Sequence, residues 1–126
     1  MSAALHHAAA ALRIFALGFP EAHEDHPWGE RVVKVKKKIF VFLGPDTDKP
    51  DELCVCVKLP ISGAAARRLP FVTPAGYGLG RSGWVMARLK KITSKQVEQF
   101  KRWIDESYRT VAPKKLITRL DGDDVN

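Results

Sequence analysis

Val32-Val33-Lys34-Val35-Lys36-Lys37-Lys38-Ile39-Phe40-Val41-Phe42-Leu43 decides the fold. Two runs of β-branched and aromatic residues flank a triple lysine, which reads as two strands joined by a tight turn. A third run follows at Leu53-Cys54-Val55-Cys56-Val57-Lys58. Between the second and third runs, Gly44-Pro45-Asp46 to Pro50-Asp51 reads as a loop. Strand, tight turn, strand, loop, strand is the pattern of an antiparallel meander.

Upstream, Ser2 to about Leu17 reads as a helix. Six of the nine residues Ala3 to Ala11 are alanine, the best helix former. Leu5, Leu12, Phe15 and Phe19 recur at helical spacing, with Gly18 placed as a cap and Pro20 as a stop. Glu21 to Glu30 is polar, contains Pro27 and Gly29, and reads as a loop anchored by Trp28. Downstream, Pro60 opens a short helical segment over Ile61 to Leu69. Phe71-Val72-Thr73-Pro74 leads into a glycine-rich stretch, Gly76 to Gly83, read as a weak strand and turn or as a binding loop. Trp84 to Leu89 reads as a strand. Thr93 with Gln96 forms a capping box for a last helix. Val97, Phe100, Ile104, Tyr108 and Val111 make its apolar stripe, Trp103 flanks it, and Pro113 ends it. The expected architecture is α+β in the order α-β3-α-β2-α. A twisted, mainly antiparallel sheet of about five strands should carry the two long helices on one face. Residues 1–113 are expected as one domain and 114–126 as a mobile tail.

With 126 residues, the chain has room for one domain and can bury about two-thirds of its unfolded surface. No disulfide or metal is needed at that size, and two cysteines are too few for a disulfide scaffold. No apolar run reaches the ~18–20 residues of a membrane span. Ala8–Leu17 is apolar, but His6 and His7 precede it without a basic segment, and Phe19-Pro20-Glu21 is a poor cleavage site. The expectation is a cytoplasmic protein with no membrane partner.

The net charge of +7 is unevenly placed. Residues 1–30 carry −3, residues 31–120 carry +13, and the acids of Asp121-Gly122-Asp123-Asp124 add −3. Clustered Lys and Arg are the footprint of a nucleic-acid binder, and also suit an anionic membrane surface or an acidic protein partner. Lys34 and Lys36 share one strand face, and Arg88 and Lys90 share another. Sheet-facing lysines beside a lysine-rich hairpin could track a phosphate backbone, or they could protect a sheet edge from aggregation. Arg67 with Arg68 and Lys90 with Lys91 form smaller basic groups. On the last helix Lys95, Lys101, Arg102 and Arg109 alternate with Glu98, Asp105 and Glu106, which reads as a solvated face.

Other motifs carry less chemistry. Gly78-Leu79-Gly80-Arg81-Ser82-Gly83 matches G-x-G-x-x-G, but a strand follows where a dinucleotide site needs a helix. The glycines suit a turn with positive φ, or a loop offering N–H groups and Arg81 to a phosphate. His23 and His26 beside Glu24 and Asp25 have no second ligand cluster, so no metal is expected. Cys54 and Cys56 lie on one face of a strand and read as core positions, with Lys58 the near neighbour able to make a thiol reactive. Trp28 and Trp84 read as anchors. No nucleophile elbow, phosphate-binding P-loop, H-E-x-x-H or C-x-x-C occurs. Neither a reaction nor a cofactor is expected.

The chain resembles the MmcQ/YjbR family of small bacterial proteins. The shared pieces are Phe19-Pro20-Glu21 with His26-Pro27-Trp28-Gly29, Val33-Lys34-Val35, and Lys38-Ile39-Phe40-Val41. They continue with Val57-Lys58-Leu59, Val72-Thr73-Pro74 before Trp84, and Ser107-Tyr108. The resemblance spans about Leu12 to Val111. It implies the same α-β3-α-β2-α order. It also implies kinship with a double-wing DNA-binding domain and no established reaction. Many relatives carry an Asn-Lys-x-His-Trp segment. Here it is Gly80-Arg81-Ser82-Gly83-Trp84, so a role for that histidine does not transfer.

The leading expectation is a non-catalytic module that binds duplex DNA by its phosphates. Its candidate residues are Lys34, Lys36, Lys37, Lys38, Lys58, Arg81, Arg88 and Lys90. No recognition helix of the usual kind predicts base readout. The alternatives are a protein-interaction domain with a basic surface for an acidic partner, and a small phosphate-ligand site at Gly78–Gly83.

Overall fold

A computed structural model describes residues 2–27, 30–46, 49–76 and 78–122. Trp28, Gly29 and Tyr77 lie outside them. Helix α1 spans Ala3–Leu17, opened by Ser2, whose Oγ accepts from the Leu5 N–H at 3.2 Å. Strands β1 (Ala22–Asp25), β2 (Val32–Val35), β3 (Lys38–Asp46) and β4 (Lys49–Lys58) follow. A single helical turn α2 (Gly63–Ala66) leads to β5 (Val72–Pro74), a 3-10 turn over Leu79–Ser82, and β6 (Trp84–Leu89). Helices α3 (Ser94–Val111) and α4 (Lys114–Leu120) complete the described chain. The strands form one antiparallel sheet in the order β1-β2-β3-β4-β6-β5.

The α+β class is as expected, with six strands rather than about five. The additional strand is β1, inside the segment expected as a loop. Ala22-His23-Glu24-Asp25 has no β-branched residue to announce a strand. It is held from outside, pairing with β2 from Ala22↔Val35 to Asp25↔Val32. The Gly44–Asp51 loop is also shorter than expected, since β3 runs to Asp46 and β4 starts at Lys49. A register shift between Gly44 and Asp46 accommodates that extension, as bulges do where proline interrupts a ladder. The helical segment expected over 61–69 shrinks to Gly63–Ala66, because Pro70 precedes a strand. Of the mobile tail expected over 114–126, the earlier part is helical and residues 123–126 lie outside the described residues. Residues 114–120 form α4, anchored by Leu116 at 2% exposure, with Arg109 of α3 bonded to Asp121.

Helices α1 and α3 cover one face of the sheet. The capping box of α3 is present, with Gln96 N–H donating to Thr93 Oγ1 and Thr93 N–H to Gln96 Oε1. Phe100, Trp103, Ile104 and Tyr108 are buried against Leu5, Leu12, Val41, Val55, Val57 and Val85. A bulge in β3 sharpens this core. Val33 pairs with Val41 and Lys34 with Ile39, so Phe40 is the extra residue. Phe40 and Val41 both enter the helix-side core, fully buried. On the opposite face Trp84, Cys56 and Ala75 make a smaller cluster with Phe42, Ile39, Leu79 and Met86. The Trp84 ring meets Phe42 edge-on at 5.7 Å. Cys56 is a core residue as expected, and burial pushes its thiol up to about 12.

Candidate nucleic-acid interface

Strand order determines which cations meet. Because β2, β3 and β4 are antiparallel neighbours, the β2–β3 turn and the C-terminal end of β4 lie at the same end of the sheet. The turn is Lys36-Lys37, β3 opens on Lys38, and β4 closes on Lys58. Lys58 pairs with Trp84, which starts β6. The 3-10 turn carrying Arg81 ends at Gly83, whose carbonyl accepts the Leu59 N–H at 2.9 Å. Lys36, Lys37, Lys38, Lys58 and Arg81 therefore share one end.

The other candidates sit elsewhere. Lys34 lies within β2 and bonds Asp25 at 2.8 Å. Arg88 and Lys90 are at the far end of β6, with Arg88 opposite Cys54 and Lys90 lying 3.7 Å from Asp51. Lys34, Arg88 and Lys90 therefore do not join Lys36, Lys37 and Lys38 in a single patch.

Electrostatics separates the shared end further. Lys36 donates to Glu21 at 2.7 Å, and Arg119 of α4 reaches the same carboxylate at 3.6 Å. These cations hold Glu21 below the usual carboxylate range, the Lys36 hydrogen bond being the largest cause. Among the described residues, Lys37, Lys38, Lys58 and Arg81 form no ion pair. Lys37, Lys38 and Arg81 are exposed and Lys58 is half-buried. Nor do the lysines protect a sheet edge. β2 and β3 are interior strands, flanked by β1 and β4.

The glycine-rich loop offers less than its motif suggests. Gly78 and Gly83 take left-handed φ values of 78° and 91°, as a tight turn needs. The N–H groups of Leu79, Gly80, Arg81 and Gly83 donate to carbonyls of Gly76, Ala75, Gly78 and Gly80. Those donors are consumed within the turn, so the backbone cradle expected for a phosphate is not formed by them. A strand follows the loop, which also removes the dinucleotide reading. His26 Nε2 lies 3.2 Å from Glu24, and His23 Nδ1 lies 3.3 Å from the Glu21 carbonyl. Among the described residues no group of three or more His, Cys, Asp or Glu could hold a metal ion.

Sequence reasoning missed how α3 positions the lysine end of the sheet. Ser107, fully buried, donates through Oγ to the Phe40 carbonyl at 2.5 Å and accepts the Lys58 N–H at 2.9 Å. It ties the β3 bulge to the last residue of β4. Tyr108 stacks on Phe19 at 4.6 Å and donates through its hydroxyl to the Pro20 carbonyl at 2.8 Å. Glu106 accepts the Ile61 and Ser62 N–H groups at 2.9 and 3.1 Å and the Ser62 hydroxyl at 2.6 Å. It caps the turn that follows β4. The alternating charges on α3 gave no signal that Glu106 faces inward.

The YjbR family model matches residues 17–110. The chain belongs to the YjbR family. No curated protein matches the chain. Segments that mark the YjbR resemblance meet in one place. Phe19-Pro20, Phe40, Lys58 and Ser107-Tyr108 are joined by the Tyr108 stacking and by the hydrogen bonds of Ser107 and Tyr108. Much of the resemblance therefore records how α3 is fastened to the sheet. Among the described residues, no helix is long and apolar enough to cross a membrane.

Proposed function

We propose that this YjbR protein is a cytoplasmic, non-catalytic module that binds duplex DNA through phosphate contacts at the lysine end of its sheet. One observation carries the reading. Lys37, Lys38, Lys58 and Arg81 come from three separate segments to one end of the sheet, without acidic partners among the described residues. Cations in that state can neutralise phosphates and release condensed counterions, which drives sequence-independent binding. The non-catalytic part is supported by two nucleophiles that are already engaged or buried. Cys56 is buried with its thiol held protonated, and Ser107 spends its hydroxyl on two backbone partners.

Fluorescence anisotropy with labelled duplex DNA tests the proposal, over salt from about 50 to 200 mM and with poly-glutamate as competitor. Binding is expected at ~10⁻⁴–10⁻⁶ M near physiological salt. A Lys37→Ala/Lys38→Ala/Lys58→Ala/Arg81→Ala variant should bind more weakly and flatten the salt dependence by about one unit for each phosphate no longer neutralised. A Lys90→Ala/Lys91→Ala control should stay close to the parent. If both variants lose affinity equally, the cluster has no special part. If poly-glutamate competes as well as DNA, the binding is non-specific charge attraction and the DNA reading falls.

A further inference from the structure

We infer that helix α4 is a second arm of this phosphate-binding surface, with Lys114, Lys115 and Arg119 as its cations and Glu21 standing where a phosphate binds. The inference rests on the proposed function and extends it to an element outside the family match, which ends at residue 110.

Helix α4 reads Lys-Lys-Leu-Ile-Thr-Arg-Leu and contains no acid. Leu116 is buried and fixes the helix on the core, while Lys114, Lys115 and Arg119 are exposed. The nearest acid in sequence, Asp121, is held by both terminal nitrogens of Arg109 at 2.8 and 3.1 Å. It is thereby engaged with α3. The Glu21 carboxylate joins α4 to the hairpin, with Lys36 Nζ 2.7 Å from one oxygen and Arg119 Nη1 3.6 Å from the other. Lys115 also acts on Glu21 through space.

An anionic oxygen pair thus already sits between cations from two distant parts of the chain. Its ion pairs are exposed on both sides, and exposed pairs are weak and screened by salt. A phosphate brings comparable oxygens and is covalently tied to further phosphates that engage Lys37 and Lys38. It can therefore displace Glu21 and draw Lys36 and Arg119 into the complex. In the free protein, Glu21 acts as a brake on those cations.

The test compares four folded proteins on one labelled duplex by anisotropy, each checked by circular dichroism and a urea melt. They are the parent, the Lys37/Lys38/Lys58/Arg81 alanine variant, Lys114→Ala/Lys115→Ala/Arg119→Ala, and Glu21→Gln. The α4 variant should lose about tenfold in affinity at low salt, with a salt slope flatter by roughly two to three. Glu21→Gln should bind several-fold more tightly. Parent-like affinity and slope in the α4 variant, with loss in the sheet-end variant, overturns the α4 inference alone. Unchanged affinity in Glu21→Gln overturns the brake. No binding by the folded parent overturns the proposed function, and this inference with it.

Discussion

Lys58 belongs to two regions that behave in opposite ways. Its backbone N–H is held by the buried Ser107 hydroxyl, inside the junction that fastens α3 to β3 and β4. Its side chain stands at the lysine end of the sheet, without an ion-pair partner among the described residues. The junction is a region of satisfied polar groups, where the side chains of Glu106, Ser107 and Tyr108 all have hydrogen-bond partners. The lysine end is a region where like charges are brought together and left available. The contrast teaches that position and charge are separate. Buried contacts hold the backbone, and the backbone carries cations that contribute little to folding.

The largest expected effect lies in the core beneath α3, where Phe100 packs on Phe71 and Trp103. Phe100→Ala should lower unfolding free energy by about 3–5 kcal/mol, read as a shift of the urea midpoint. A loss below about 1 kcal/mol would mean that α3 does not hold the sheet. Ser107→Ala should cost about 1–3 kcal/mol, because the Phe40 carbonyl and the Lys58 N–H would each lose a partner. A neutral result would erase the distinction between the two regions.

At the lysine end the sign reverses. Lys36 takes a φ of 57° in the hairpin turn, a left-handed conformation that is costly for any side chain with a Cβ. Lys36→Gly removes that cost and gives up only an exposed ion pair. Thermal melts should show a gain of up to about 1 kcal/mol. Lys37→Ala/Lys38→Ala should leave the melt within about 0.5 kcal/mol of the parent. A larger loss would show that these lysines serve the fold.

The smallest effect is in acid. Glu21, Glu24, Asp25 and Asp121 are each held below the ordinary carboxylate range, chiefly by hydrogen bonds from Lys36, Arg13, Lys34 and Arg109. A carboxyl with a lower pKa folded than unfolded stabilises the fold above its unfolded pKa, and loses that contribution as pH falls through its folded pKa. Stability should therefore decline below about pH 4. In Arg109→Ala the decline should be shallower. An unchanged acid limb in that variant would remove Asp121 from the account.

Local signals carried most of the fold. The Thr93/Gln96 box and the Val97–Val111 stripe place α3, and the two apolar runs around Lys36-Lys37-Lys38 place the hairpin. What escaped was non-local. β1 has no strand propensity and exists because β2 offers it a ladder. Helix α4 is short and is held by Leu116, Leu120 and the Arg109–Asp121 bonds. The site divides the same way. The hairpin lysines are visible as neighbours in sequence. Their meeting with Lys58 and Arg81 follows only from β6 pairing beside β4.

The sheet's outer strands set a limit on how anything can bind. β1 is four residues long and ends in Glu24-Asp25, and β5 is three residues long and ends in Pro74, which has no N–H to give. Recognition that adds a partner strand to an open edge needs a longer row of free main-chain groups than either provides. A partner must therefore read this protein through its side chains. Affinity can then change one lysine at a time, without disturbing the hydrogen-bond ladder beneath.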